Sequence, residues 1–406
     1  MWIGARRRRP APDPRRYFST EEVERARRYH RPLYRAAAVG LALEVGVLAA
    51  LAWSEAGSAL DPESLPWWAR TLAYSAIVVA VAAGVQTPLG FWRGYLRERR
   101  WGFSTQTLGG WFGDRVKAVA VDIVLTASLL LALVALARAL PGWWVVPAAA
   151  ALALGAFVLS FLAPVLLAPL FHRFRPLQQE PLRSELQELA SAAGVPVELV
   201  LVEDTSRRTR KANAYVSGLG RTRRVVVSDT LLAAAPASEV RSVVGHELGH
   251  RRERHVLFGT MLSVGGAVVA TLVVWVLLGT RAADPHRLPL VLLVALALAV
   301  GAMPALAAIS RRWERSADRY AVTLTDAAAY ANALRRLAAR NLSDLDPPPL
   351  IYLFLFTHPT AAERLAATGA ATVPARLAAA AARNEFSRRT GSDPGQAVPV
   401  RRSRTP

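Results

Sequence analysis

His246 and His250 stand four residues apart, with Glu247 between them, in the run His246-Glu247-Leu248-Gly249-His250. On a helix, residues four apart lie one above the other on the same face. Two imidazoles so placed can bind one metal ion while the neighbouring carboxylate handles the proton of a water, the H-E-x-x-H arrangement of metal-assisted hydrolysis. The plain alternative is an amphipathic helix with incidental histidines; with seven His in 406 residues, such a coincidence is improbable. A catalytic zinc usually takes three protein ligands and keeps a fourth position open. Cysteine is absent, so the third ligand has to be His, Asp or Glu.

Downstream candidates for that ligand are Glu253, His255, Asp284, His286, Glu314, Asp318 and His358. Glu253 is too near on the same helix to reach the opposite side of a metal. Asp284 and His286 fall in a loop expected a membrane thickness away. Glu314 returns to the correct side after a helical hairpin, with Asp318 one turn later on the same face. That pairing suits a ligand carboxylate and a second carboxylate that orients a ligand histidine. The alternative for Glu314 is a membrane-edge charge paired with Arg311, Arg312 or Arg315.

The elements that must position these residues are largely membranous. The chain is 53% hydrophobic with positive mean hydropathy, too apolar for a fully soluble protein. Six apolar segments, near 36–54, 67–92, 116–139, 143–168, 256–280 and 288–309, are each about long enough to cross a ~30 Å hydrocarbon core. Glu44 and Asp122 lie within them; an intramembrane carboxylate usually faces protein or water rather than lipid. Asp122 is also close enough to Lys117 to sit at an interface.

The net charge of +20 raises nucleic-acid binding as an explanation. The arginines, however, gather at the ends of the apolar runs, as the positive-inside rule requires. A lipid bilayer, and no nucleic acid, is therefore the expected partner. The same rule puts both termini, the 93–117 loop and the long 169–255 region on the cytoplasmic side of a multi-pass cell-membrane protein.

The expected organisation is a basic arm over 1–35, a four-span membrane domain over 36–168, and a metallopeptidase domain over 169–383 that includes the hairpin 256–309. A disordered basic tail over 384–406 follows. Within the third unit, helices are expected over 181–194, from about 238 through the motif, and near 325–341 and 360–383. Strands are expected over 198–203, 213–219 and 223–228, the last two joined by a turn at Gly218-Leu219-Gly220. The fold class is predominantly α: a polytopic helical membrane protein, with about six spans forming a chamber, plus a small cytoplasmic α+β metallopeptidase region.

Beyond the motif, ordered segments run from residue 93 to 367. They include Trp101-Gly102-Phe103-Ser104-Thr105-Gln106-Thr107-Leu108-Gly109, Ala168-Pro169-Leu170-Phe171, Asn213-Ala214-Tyr215 and Val227-Ser228-Asp229-Thr230-Leu231-Leu232. Arg311, Glu314, Ala317 and Asp318 follow, then Thr357-His358-Pro359 with Arg364-Leu365. Together with HELGH and His255 they make the chain resemble the type I CAAX prenyl proteases, integral-membrane zinc metallopeptidases of the gluzincin type.

The resemblance implies a barrel of membrane helices around a hydrated chamber, with one Zn2+ held by His246, His250 and Glu314 and Glu247 as general base. It implies that Asp318 supports a ligand histidine, and that His358 and Arg364 steady the oxyanion or the substrate backbone. Asn213 and Tyr215 are implied substrate contacts on an edge strand, to which a peptide adds by β-augmentation. The implied substrate is a peptide or protein, membrane-associated or lipidated.

Three features depart from the family pattern. Lys211-Ala212 replaces polar residues before Asn213, Arg251 replaces the aromatic residue that often follows HELGH, and only two spans precede the Gly-Phe segment. A membrane quality-control protease similar to the heat-shock metallopeptidases is the alternative enzyme. A zinc-bound scaffold or transporter is the alternative outside that class, opposed by the retained Glu247.

Overall fold

The computed structural model describes residues 12–218 and 223–368. Arg6 to Arg9 of the arm, the Leu219-Gly220 turn, positions 369–383 of the last expected helix and the tail over 384–406 lie outside the described residues.

The chain opens on the helix α1 (Thr20–Trp53), started by a capping box in which Ser19 Oγ accepts from the Glu22 N–H while the Glu22 carboxylate accepts from the Ser19 N–H. Residues 20–35, expected within a polar arm, are thus the first turns of a span-length helix. Val23, Ala26 and Tyr29 are buried there and hold it down.

After the short α2 (Glu55–Leu60) come α3 (Trp67–Phe91), a π-helical stretch over Trp92–Leu96 and α4 (Arg97–Arg100). Then follow α5 (Leu108–Ala139), α6 (Val145–Leu166) and α7 (Ala168–Phe171). Further on, α11 (His255–Leu278) and α12 (Leu288–Leu324) form the hairpin. Among the described residues six helices, α1, α3 with its extension, α5, α6, α11 and α12, are long and apolar enough to cross a membrane.

Each of the six packs on the next, in the order α1–α3–α5–α6–α11–α12, and α12 closes the ring against α1. The six helices thus form a closed ring of contacts. Near its wall Gln86 of α3 bridges to α1, donating to the Gly40 carbonyl at 2.7 Å and to Glu44 at 3.0 Å. Asp122, exposed on α5, accepts from Thr126 at 3.1 Å. The α11 and α12 helices diverge enough to leave an apolar cavity of 780 Å³, bordered by Gly266, Ala270, Ala302, Trp313 and Thr357.

One end of the ring is tied by charge. Asp61, after α2, accepts both arms of the Arg70 guanidinium at 2.7 Å each and lies 3.0 Å from His286 Nδ1 in the α11–α12 loop.

The other end carries the α+β unit. Its sheet has four strands, β1 (Phe174–Pro176), β2 (Leu199–Glu203), β3 (Ala214–Ser217) and β4 (Arg224–Ser228), in the order β1-β2-β4-β3. The β2–β4 pair is parallel and the outer pairs antiparallel, so β3 is an edge. The β1 strand went unforeseen because three residues ending in Pro176 carry no alternation to read.

On the sheet pack α8 (Leu182–Ala192), with Leu186 and Leu189, and α10 (Ala237–Arg252), with Val240, Val244 and Leu248. The short α9 (Asp229–Leu232) turns the chain from β4 towards α10, its first turn capped by Ser228 Oγ. After α12 come α13 (Ala327–Arg340), α14 (Pro349–Leu355) and α15 (Ala361–Ala367).

Candidate active site

The site forms where α10 crosses α12, and two glycines set how closely they approach. A Cβ on Gly249, within HELGH, would stand 3.1 Å from the Ala317 Cα and 3.2 Å from its carbonyl; one on Gly245 would meet Thr325 Cγ2 at 3.0 Å. Without side chains at these positions α10 lies against Ala317 and Ala321 of α12, both wholly buried. Glu314 and Asp318, flanking Ala317, are thereby brought to the two histidines. Both carboxylates are buried.

His246 Nε2 and His250 Nε2 lie 3.2 Å apart, at 3.3 and 3.2 Å from the two Glu314 oxygens respectively. A tetrahedron with arms of ~2.0–2.1 Å has edges of about 3.3–3.4 Å; the two imidazole nitrogens stand at about that separation, each facing a different Glu314 oxygen, and one ligand atom from each of the three residues lies within 4.8 Å of the others. Their ligand atoms form the one His/Asp/Glu cluster of metal-binding dimensions among the described residues. Glu314 Oε2 is also buried without a hydrogen-bond partner, and such an orphan acceptor calls for a cation. The donor set fits a metal.

The rest of the site orients these donors. His246 Nδ1 is 2.9 Å from Asp318 Oδ1. A carboxylate only accepts, so Nδ1 carries the proton and Nε2 turns its lone pair towards Glu314 and His250. Asp318 is fixed in turn by Arg364, with Nε at 3.0 Å and Nη2 at 2.6 Å, and by the Tyr330 hydroxyl at 2.5 Å. The imidazole of His246 is raised to about 9: burial acts against its charge, but the hydrogen bond to Asp318 and the adjoining Glu314 carboxylate outweigh it. A metal binding there displaces a proton. His250 Nδ1 meets His255 Nδ1 at 3.0 Å, and the His255 ring stacks on Trp313. Burial pushes the Glu247 carboxyl up from its ordinary value, in the direction useful to a general base.

His358 comes in on the loop between α14 and α15, its Nε2 3.2 Å from Glu314 Oε1. Arg311 holds that loop, donating to the carbonyls of Tyr352 at 3.0 Å and Phe356 at 2.6 Å. A capping box between Thr360 and Glu363 starts α15 and so aims Arg364. A cavity of 520 Å³ opens over the cluster, lined among others by Asn213, His246, Glu247, Tyr330, His358 and Arg364.

Eight of the nine residues singled out in the sequence therefore converge. Tyr215, on the same side of the sheet as Asn213, lines instead a neighbouring 770 Å³ cavity with His172 and Glu203; Asn213 borders both. Lys211, one of the departures, is absorbed structurally: it pairs with Glu98 at 2.8 Å, bonds the Tyr29 hydroxyl and lies over the Phe103 ring. The Trp-Gly-Phe segment thus anchors the approach to β3.

Sequence reasoning missed Tyr330, the loop-holding part of Arg311, and Asn341. Asn341 clamps Ala212 by accepting from its N–H and donating to its carbonyl, both at 3.0 Å. Tyr330 and Asn341 sit in no spaced pattern; the amphipathic face of α13 is the available signal for Tyr330, and it points only to packing.

A ring of membrane helices with a two-histidine, one-carboxylate donor set and an adjacent glutamate at its rim defines an integral-membrane metallopeptidase. Comparison with known proteins agrees. The family model for Peptidase family M48 matches residues 176–371, and that for the CAAX prenyl protease N-terminal region, described as five membrane helices, matches residues 4–173. In that second region the described residues hold four span-length helices.

The chain is 31% identical to the "Uncharacterized metalloprotease YhfN" of Bacillus subtilis, covering 73% of this chain and 72% of that protein. It is 27% identical to CAAX prenyl protease 1 of Saccharomyces cerevisiae, covering 74% and 72%. The crystal structure of Ste24p from S. mikatae superposes with a TM-score of 0.71 at 22% identity, covering 86% of this chain and 88% of that one. The chain belongs to peptidase family M48: it is a multi-pass membrane metalloprotease, acts on peptide or protein substrates and uses a metal cofactor.

Proposed function

We propose that the metal is zinc and that the chain is an endopeptidase working at the cytoplasmic face of the cell membrane. The observation that carries this reading is the convergence of His246 Nε2 and His250 Nε2, 3.2 Å apart, on the two Glu314 oxygens, nitrogen and oxygen donors of the kind zinc takes in catalytic sites. Zinc held there supplies the Lewis acidity that polarises a scissile carbonyl and acidifies an attacking water.

The chain's own residues do the rest. Glu247 takes the proton of the attacking water and passes it to the departing amine. Asp318 keeps His246 in the metal-binding tautomer, and Arg364 keeps Asp318 ionised and in place. His358, at the mouth of the cavity, donates to the oxyanion as the carbonyl becomes tetrahedral. The peptide pairs with the free edge of β3, with Asn213 and Tyr215 beside its path.

The arginines at the ring's α10 end favour the cytoplasmic orientation for the site and both termini. A membrane-associated or lipidated substrate is favoured by the apolar cavity between α11 and α12, whose border includes Thr357, next to His358. A hydrocarbon chain lying in that cavity would bring its attached peptide to the metal.

The test is Glu247→Gln in the purified chain. Zinc content should stay at one per chain while cleavage of casein-like and farnesylated peptides falls to the chelator-treated background. Retained turnover would remove Glu247 from its role as base.

A further inference from the structure

The free edge of β3 is shorter than its sequence implies, and Arg251 is what shortens it. In an antiparallel ladder, the main-chain groups of successive residues point alternately to the partner strand and away from it. The Ser228 N–H donates to the Asn213 carbonyl at 2.9 Å, and the Asn213 N–H donates to Ser228 Oγ at 2.9 Å. With Ala214 opposite Val227, Tyr215 opposite Val226 and Val216 opposite Val225, Asn213, Tyr215 and Ser217 turn their main-chain groups towards β4. Ala214 and Val216 turn theirs to the open edge.

Ala214 borders the metal cavity. The Val216 carbonyl is already taken: Arg251 donates to it from Nη2 at 2.7 Å and from Nε at 3.3 Å. Arg251 is one helical turn beyond Glu247 on the same face of α10, which is how a side chain of the metal-bearing helix reaches the strand.

The charge at this point is unbalanced. Among the described residues Arg251 has no carboxylate within 4.0 Å. Arg223, just ahead of β4, is near enough to repel it, and Glu247 is the acid near enough to be felt. A guanidinium has five N–H donors; two are spent on Val216 and three remain. Half-buried and pre-oriented by a main-chain anchor, it is suited to a carboxylate, which it can meet with two parallel bonds.

We propose that Arg251 is a specificity-determining residue of this protease: it ends the substrate-pairing edge at Val216 and binds there a carboxylate of the peptide paired at Ala214. The inference rests on the reading that the peptide adds to β3. Two residues of strand span about 6.8 Å, so the carboxylate lies about two residues along the peptide from the one held at Ala214. Its source is the peptide's C-terminus or an Asp or Glu side chain.

Zinc-loaded full-length chain, purified in detergent, would be assayed on fluorogenic peptides in three forms. One has a free C-terminus, one an amidated C-terminus, and in one amidated set a single Glu or Gln is walked through the positions flanking the cleaved bond. Wild type should lose about tenfold or more in kcat/KM, carried by KM, when the recognised carboxylate is replaced by an amide. The first pair scores the terminal carboxylate and the walk scores a side chain. In Arg251→Gln the carboxylate-to-amide ratio should collapse towards one, and in Arg251→Lys it should partly return.

Equal kcat/KM across the whole series in wild type, or a preference that survives Arg251→Gln, overturns the inference. Peptides N-methylated at single backbone positions isolate the underlying reading. If no position slows cleavage when methylated, edge pairing itself is wrong and the inference goes with it. If one does, while the carboxylate preference ignores Arg251, pairing stands and the inference alone is refuted.

Discussion

The molecule contains the same side-chain arrangement twice, once at each end of the helical ring, and only one copy belongs to the catalytic site. At the outer end a buried aspartate, Asp61, takes both arms of Arg70 and faces His286 Nδ1, while Tyr74 stacks on that imidazole. At the other end Asp318 takes both arms of Arg364 and faces His246 Nδ1, while Tyr330 stacks on that ring. The difference lies in what the far nitrogen of the histidine meets. His246 Nε2 converges with His250 Nε2 on Glu314, one of whose oxygens is buried and unpartnered. Among the described residues His286 meets no such second set: each Asp61 oxygen has its donor, Glu63 lies 3.8 Å from Arg70, and Asp284, 3.7 Å from Arg70, accepts from the His286 main-chain N–H rather than facing its ring. An Asp–Arg–His unit fixes an imidazole; catalysis needs further donors left unsatisfied around it. One cluster closes loops; the other has the donors to hold a cation.

Breaking the inner cluster should have the largest effects. Glu314→Ala removes the ligand on which the two imidazoles converge, so the purified variant should contain little zinc and no protease activity above the chelator-treated control, with metal measured by elemental analysis. Full zinc occupancy would move the third ligand elsewhere. Asp318→Asn is the subtler change. It keeps size and one acceptor but weakens the hold on His246, and loss of such a supporting partner typically costs about 10–100-fold in metal affinity or activity. Competition against a calibrated chelator reads this directly; an unchanged affinity would show that Arg364 and Tyr330 position His246 without the Asp318 charge.

The two clusters were unequally visible in the sequence. HELGH declares itself because its helical spacing and its chemistry coincide, and Glu314 with Asp318 could be read because a hairpin had to return the chain to the same face. The spans were equally legible, since hydrocarbon thickness fixes their length, although α1 begins well before its apolar part because Val23, Ala26 and Tyr29 find a surface to bury against. The outer cluster was not legible. Asp61 and Arg70 are separated from His286 by four spans and the three belong to no pattern, and His286 enters the sequence reading only as a rejected ligand. For the same reason Tyr330 and Asn341 were missed: their partners are chosen by packing, which single-sequence periodicity does not record. The Gly249 in HELGH carries no ligand atom, yet its missing side chain is what admits Ala317.

Asp61→Asn sharpens the contrast from the other side, since it should leave zinc content and the metal affinity of the inner cluster unchanged while lowering stability. Burial alone would raise the Asp61 carboxyl, but the hydrogen bonds from Arg70 and His286 outweigh it, so the group sits below its ordinary value. A depressed carboxylate contributes stability in full above its unfolded pKa of about 3.9, and that contribution disappears as pH falls through the lower folded value. Removing one partner of a buried pair costs about 3–5 kcal/mol; with Arg70 19% exposed, the lower end applies. The difference in melting temperature between wild type and Asp61→Asn should therefore be present at about pH 5 and shrink below about pH 4. A difference that instead grew as the pH fell from about 5 to 3 would mean that Asp61 is neutral in the folded protein. The Asp61–Arg70 link would then be a hydrogen bond between a neutral acid and a cation, and the likeness to Asp318 would end at geometry.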